Sequence, residues 1–147
     1  MKKSRKQKFK LRFPSKTDNL EIIREFVNRL ALKTGFNPST ADQIALAVDE
    51  ACTNVIKHAH KFDSRRMIDI IVYLDNEKIE IIISDTGKGF DPSKLPEPDL
   101  RQYIHEAKMG GLGIYLMKTI MDEVNYTFNP GTKNQVAMIK YLNKKSA

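Results

Sequence analysis

The chain has 147 residues, of which 41% are hydrophobic and 29% charged, the size and composition of one soluble globular domain with a single core. Its net charge of +7 comes from one end: Lys2, Lys3, Arg5, Lys6, Lys8, Lys10 and Arg12 supply seven of the 25 basic residues with no acid among them, which leaves 18 basic against 18 acidic residues in the body. That neutrality argues against a nucleic-acid-binding domain, whose basic residues are spread over a folded face.

No apolar run approaches the ~20 residues of a membrane span, and no apolar segment follows the basic start as a secretion signal requires. The single cysteine, Cys52, excludes an internal disulfide. A cytoplasmic protein with no membrane partner is the expectation. Residues 1–8 are expected to form a basic flexible tail, and residues 9–147 a single domain.

In chain order, Phe9, Leu11 and Phe13 alternate with Lys10 and Arg12, the pattern of an edge strand with charged outer positions. After Pro14-Ser15, Asp18 or Asn19 caps a helix that turns Leu20, Ile23, Phe26, Val27 and Leu30 inward and stops at Gly35. A second helix opens at Pro38-Ser39-Thr40, capped by Asn37 or Ser39, and runs to about His60. Met67–Leu74 and Lys78–Ser84 read as a hairpin around Asp75-Asn76-Glu77. Ile68, Ile70, Val72 and Leu74 share one face with Ile79, Ile81 and Ile83, while Asp69, Tyr73, Lys78 and Glu80 make the other face wet. An antiparallel sheet of this kind is covered by helices on its apolar face alone, giving a two-layer α/β (α+β) sandwich.

Residues 91–109 have little periodicity and contain Pro92, Pro96 and Pro98; irregular segments of this length are usually functional lids or mobile segments. Gly110-Gly111-Leu112-Gly113 leads into an apolar helix from Ile114 to about Asp122. Val124–Phe128 and Gln135–Leu142 form the last hairpin around Asn129-Pro130-Gly131-Thr132. No internal repeat or dividing linker is present.

Three stretches carry chemistry. In the second helix Ile44, Val48, Cys52 and Val55 fall on one apolar face, and Glu50, Asn54, Lys57 and His58 line another at offsets of four, seven and eight. Taken alone, that stripe also fits a solvated helix face. Glu50 can accept a proton from a hydroxyl, the Asn54 amide oxygen suits a hard Mg²⁺ ion, and Lys57 can neutralise phosphate. Next, Asp85-Thr86-Gly87-Lys88-Gly89 follows a strand. An ionised aspartate only accepts hydrogen bonds and so matches an exocyclic amine such as that of adenine, whereas guanine would present a carbonyl. By itself, a tight turn explains this pattern as well. Finally, Gly110, Gly111 and Gly113 at a helix start offer backbone N–H groups and a positive dipole end to phosphate, or serve as a plain hinge. The arrangement is neither a Rossmann fingerprint nor a P-loop. A zinc site from Cys52, His58 and His60 is disfavoured, because Cys52 faces away from His58 and a fourth ligand is lacking.

Together, Glu-Ala-x-x-Asn-x-x-Lys-His-Ala, Asp-x-Gly-x-Gly and Gly-Gly-x-Gly resemble the GHKL ATPase superfamily in order and spacing, over about Leu11 to Leu142. In length and single-domain form the chain is similar to its small members, the serine/threonine kinases that act as anti-sigma factors in bacterial partner switching. The resemblance implies a mixed, largely antiparallel sheet of the Bergerat type. ATP and Mg²⁺ are the implied cofactors. Glu50 would be the general base and Asn54 the metal ligand. Lys57 would approach the phosphates, and His58 the base or ribose. Asp85 would bond the adenine amine beside Gly87 and Gly89, with Gly110, Gly111 and Gly113 around the phosphates. Thr132 would stand near Asp85, and Arg101 or Lys108 would be the lid cation. The implied partners are a sigma factor, a small anti-sigma-factor antagonist and a second copy of the chain. A histidine kinase would need a dimerisation helix pair, for which the roughly ten residues before the first strand leave no room. Two other readings give distinct expectations. A non-catalytic, ATP-dependent partner-binding module would bind without transferring phosphate. Nucleic-acid binding through the tail would show a steep salt dependence that is lost on deleting residues 1–12.

Overall fold

The computed structural model describes residues 5–85, 113–129 and 133–142. Strand β1 (Gln7–Pro14) is followed by a 3₁₀ turn at Thr17–Asn19 and helices α1 (Leu20–Thr34) and α2 (Pro38–Asn54). A π-helical turn (Val55–Ala59) continues α2, and then come β2 (Met67–Leu74), β3 (Lys78–Asp85), α3 (Gly113–Ile120), β4 (Glu123–Asn129) and β5 (Lys133–Tyr141). The five strands lie in the order β1-β2-β3-β5-β4. Every pairing is antiparallel, so the mixed component allowed by the resemblance does not occur among the described strands.

Alternation decides which face is covered. Ile68, Ile70, Val72 and Leu74 of β2 are buried, as are Ile79, Ile81 and Ile83 of β3 and Val136 and Met138 of β5, and the residues between them are only partly buried. Against this face pack Ile23, Val27 and Leu30 of α1, Ile44, Val48 and Cys52 of α2, and Met117 of α3. Each fully buried isoleucine contributes roughly 1.5–3 kcal/mol, so the isoleucine rows of β2 and β3 anchor the two layers. No helix among the described residues is long and apolar enough to cross a membrane.

The strand edges differ from the expectation in a consistent way. β1 begins at Gln7, and Lys8 pairs with Tyr73, so the end of the basic segment belongs to the sheet. The ammonium groups of Lys6 and Lys8 lie 4.4 and 5.7 Å from the Tyr73 ring centroid, within cation–π range. Arg12 faces Asp69 across the ladder and donates to both of its carboxylate oxygens, at 2.7 and 3.2 Å.

The helix boundaries follow local chemistry. The Asn37 side chain accepts from the Thr40 N–H at 2.8 Å and Pro38 opens α2, which settles the choice of cap. Asn19 precedes α1, but its amide donates to the Pro14 carbonyl at 2.8 Å and so ties the helix start to β1. Helix α1 ends at Gly35, whose φ of 121° lies where side-chain-bearing residues are strained. The Gly35 N–H reaches the Leu32 carbonyl and the Phe36 N–H that of Ala31, the paired closure of a Schellman end. Gly35→Ala is expected to destabilise the fold by about 1–3 kcal/mol without altering the site. Urea denaturation would show this as a lower midpoint at unchanged slope.

Candidate functional site

A cleft opens where the π turn, α3 and the ends of β3, β4 and β5 meet. Ala51, Ile83, Met117 and Val136 give it apolar walls, and Asn54, Asp85, Tyr126 and Asn134 supply polar groups. A flat, largely apolar ring with a few polar edge atoms fits such a lining.

Asp85 owes its place to strand parity. It follows Ile79, Ile81 and Ile83 on the covered face and is 5% exposed. The register sets Asn134 directly opposite, and the Asn134 amide donates to Asp85 Oδ1 at 3.4 Å. His60 Nε2 lies 3.9 Å from the same oxygen, and His60 Nδ1 is 2.9 Å from Ser15 Oγ. His60 and Ser15 are both buried. Burial lowers the His60 pKa below the ordinary imidazole range, against the opposing pull of Asp85, so the ring is neutral at physiological pH. Tyr126 faces Val136 across the β4–β5 ladder. Its hydroxyl is buried without a hydrogen-bond partner among the described residues, and burial pushes its pKa up to about 12.

The helical stripe divides at the change of helix type. The His60 N–H bonds to the Val55 carbonyl at 2.8 Å, the i→i−5 pattern of a π turn, which is frequent at functional sites. The chain leaves the turn through Lys61 and Phe62, both at positive φ (49° and 63°). Glu50 and Asn54, in the regular part, are half-buried, and Asn54 lines the cleft. Lys57 and His58, on the π turn, are exposed and do not line it. Of the four, Asn54 alone lines the cleft. Cys52 is fully buried, and desolvation pushes its thiol pKa upward, as for an inert core residue.

Glu50 lies against the first residue of α3. A Cβ built on Gly113 would stand 2.6 Å from Glu50 Oε2, so the carboxylate occupies space that only glycine leaves open. Burial raises the Glu50 pKa, as does the neighbouring charge of Asp49, with Lys57 opposing. Arg24 bonds Asp49 at 3.0 Å. A partly desolvated carboxylate beside a helix N-terminus combines a raised proton affinity with a site suited to negative charge.

Gly87, Gly89, Arg101, Lys108, Gly110, Gly111 and Thr132 lie outside the described residues. Sequence reasoning missed Asn134, Tyr126 and the Ser15–His60 pair. Asn134 could have been found by extending the β5 alternation of Val136 and Met138 back by two residues. His60 has no such local signal.

A model of the histidine kinase-like ATPase domain matches residues 13–140. The serine-protein kinase RsbW of Bacillus subtilis (strain 168) is 34% identical over 138 residues, covering 90% of this chain and 84% of its own length. RsbW of Bacillus pumilus (strain SAFR-032) is 36% identical over 143 residues, covering 91% and 85%. RsbW of Listeria monocytogenes serovar 1/2a is 30% identical over 142 residues, covering 94% and 89%.

Because the Glu50 pKa is raised in the folded chain, protonation favours the native state. That contribution is present at low pH and lost as the pH rises from the ordinary carboxylate range through the raised value. Glu50→Gln in the nucleotide-free protein is thus expected to melt at a higher temperature than wild type near neutral pH. The difference should shrink as the pH falls; thermal melts across a pH series would show it.

Proposed function

The chain belongs to the family of histidine kinase-like ATPase domains, and on that premise we propose that it is an ATP- and Mg²⁺-dependent serine/threonine protein kinase that serves as an anti-sigma factor and phosphorylates a small antagonist protein. The observation that carries the catalytic part is the half-buried Glu50 carboxylate, with its raised pKa, set against the start of α3 one helical turn from Asn54.

In this reading the adenine ring enters the cleft between Ile83, Met117 and Val136, and its exocyclic amine donates to Asp85. The Asn54 amide oxygen is half-buried on the cleft wall, a hard neutral donor that fits Mg²⁺; the ion would neutralise phosphate charge as the γ-phosphoryl group departs. Glu50 accepts the proton of the substrate serine or threonine hydroxyl. The hydroxyl oxygen then forms its bond to the γ-phosphorus as the bond to the β-phosphate oxygen breaks, giving phosphoprotein and ADP. Lys57, exposed and close enough to Glu50 to lower its pKa, would meet the negative charge of the phosphates.

The sigma factor and the antagonist come from the family resemblance, and with them a cytoplasmic place of action. Self-association would use the open face of the sheet, where Ile71, Ile82 and Ala137 stand side by side in register and half-buried. Sedimentation equilibrium is expected to give twice the chain mass, and a strictly monomeric result at micromolar protein would remove the second copy from the assembly.

General-base removal typically lowers rate by about 10²–10⁴. Glu50→Ala is expected to lose phosphoryl transfer to that extent in single-turnover assays with labelled ATP, while calorimetry still registers ATP uptake. Gly113→Ala, which must push the Glu50 carboxylate aside, should show the same separation of binding from transfer. Transfer at the wild-type rate by Glu50→Ala would exclude Glu50 as the base; binding with no transfer by wild type to any antagonist would favour the partner-binding module.

A further inference from the structure

Tyr126 of β4 shares a rung with Val136 of β5 and Ile83 of β3, and the pair of Asp85 with Asn134 lies two residues further along the ladder. Residues paired across a ladder point to one face, so Tyr126 faces the helices with Val136 and Ile83. All five residues line the cleft. Because β5 runs between β3 and β4, Tyr126 and Asp85 enter the cleft from strands roughly 10 Å apart, with Val136 as the apolar floor between them.

The Tyr126 hydroxyl is out of place in an apolar wall. Its oxygen is shut off from solvent and has no hydrogen-bond partner among the described residues. An orphaned buried hydroxyl is destabilising, and phenylalanine would fill nearly the same space without that cost. Burial pushes the Tyr126 pKa up to about 12, so the proton stays on the oxygen and can be donated at physiological pH. Turning the side chain toward a ligand breaks no hydrogen bond among the described residues. The two sides of the cleft are then complementary in kind: an ionised Asp85 only accepts, and Tyr126 has a donor to give. A 6-aminopurine carries the matching set, an exocyclic amine that donates and unprotonated ring nitrogens that accept.

We propose that Tyr126 is a base-binding residue: its hydroxyl donates a hydrogen bond to a ring nitrogen of bound adenine, while Asp85 takes the exocyclic amine. The proposal rests on the nucleotide reading above and adds to it a second polar contact to the base, made from the strand on the other side of β5.

The test is calorimetry on the full chain, comparing wild type with Tyr126→Phe for ATP and for its 1-deaza, 3-deaza and 7-deaza analogues, each of which replaces one ring nitrogen by C–H. Tyr126→Phe is expected to weaken ATP binding about fivefold, the worth of one neutral hydrogen bond. For one of the three analogues the variant is expected to bind as tightly as wild type, because the acceptor is already gone, and for the other two the loss persists. An equal loss for ATP and all three analogues, as from a repacked wall or a hydroxyl held by water, overturns the proposal, and so does no loss for ATP. Thermal melts give a second readout. Ligand-free Tyr126→Phe is expected to melt at or above the wild-type temperature, since an unpaired hydroxyl has been removed; a clearly lower value means that the hydroxyl is already paired in the free protein and overturns the proposal. Wild type that takes up none of the four nucleotides removes the nucleotide reading and this proposal together, whereas ATP binding that the variant leaves unchanged removes the Tyr126 contact alone.

Discussion

In an antiparallel sheet covered on one side, successive side chains of a strand point to opposite faces, so whatever occupies the covered parity must be apolar or must find a partner. Along β3 that parity runs through Ile79, Ile81 and Ile83 to Asp85, and along β5 through Met138 and Val136 to Asn134. The core and the polar end of the cleft are therefore one continuous row of positions. The register that packs the isoleucines also sets Asp85 opposite Asn134. A one-residue slip of β5 would turn Val136 and Met138 outward and remove Asn134 from the cleft in the same step.

The helix layer obeys a matching constraint. Cys52 and Val48 must face the sheet, which leaves Glu50 and Asn54 on a flank of α2 where α3 approaches. α3 can come close because its first residue has no side chain: Glu50 Oε2 already fills the position a Cβ would take on Gly113. After Asn54 the π turn changes the direction of the side chains. Lys57 and His58 remain outside while His60 turns into the interior beneath Asp85. One irregular turn thus moves an imidazole from the helix surface into the interior beside Asp85.

Much of this was legible in the residues. The isoleucine alternation gave the sheet and its covered face, Gly35 the end of α1, and Asn54 and Asp85 are two of the polar residues that line the cleft. The π turn left no trace, because Val55-Ile56-Lys57-His58-Ala59 contains neither proline nor glycine and continues a helical hydrophobic pattern. The placement of His60 was equally hidden: its neighbours Ser15 and Asp85 stand 45 residues before it and 25 after it, and only the assembled sheet, with β2 between β1 and β3, sets the ends of those two strands on the same side. Gly113 was visible as a glycine, but the neighbour that requires it became visible only when α2 and α3 packed.

These polar groups are not what a stability-optimised core would contain. The His60 Nε2 and Tyr126 hydroxyl are buried without partners among the described residues, and a buried unsatisfied donor costs roughly 1–3 kcal/mol, comparable to the gain from burying one isoleucine. Glu50 adds a carboxylate whose ionised form the fold disfavours. All three groups lie in or against the cleft region, while the far end of the sandwich, around Ile79 and Leu74, holds no such group among the described residues. Destabilising polar burial confined to one end of an otherwise regular apolar core is what an open site needs if its side chains are held ready for a ligand that supplies the missing hydrogen bonds.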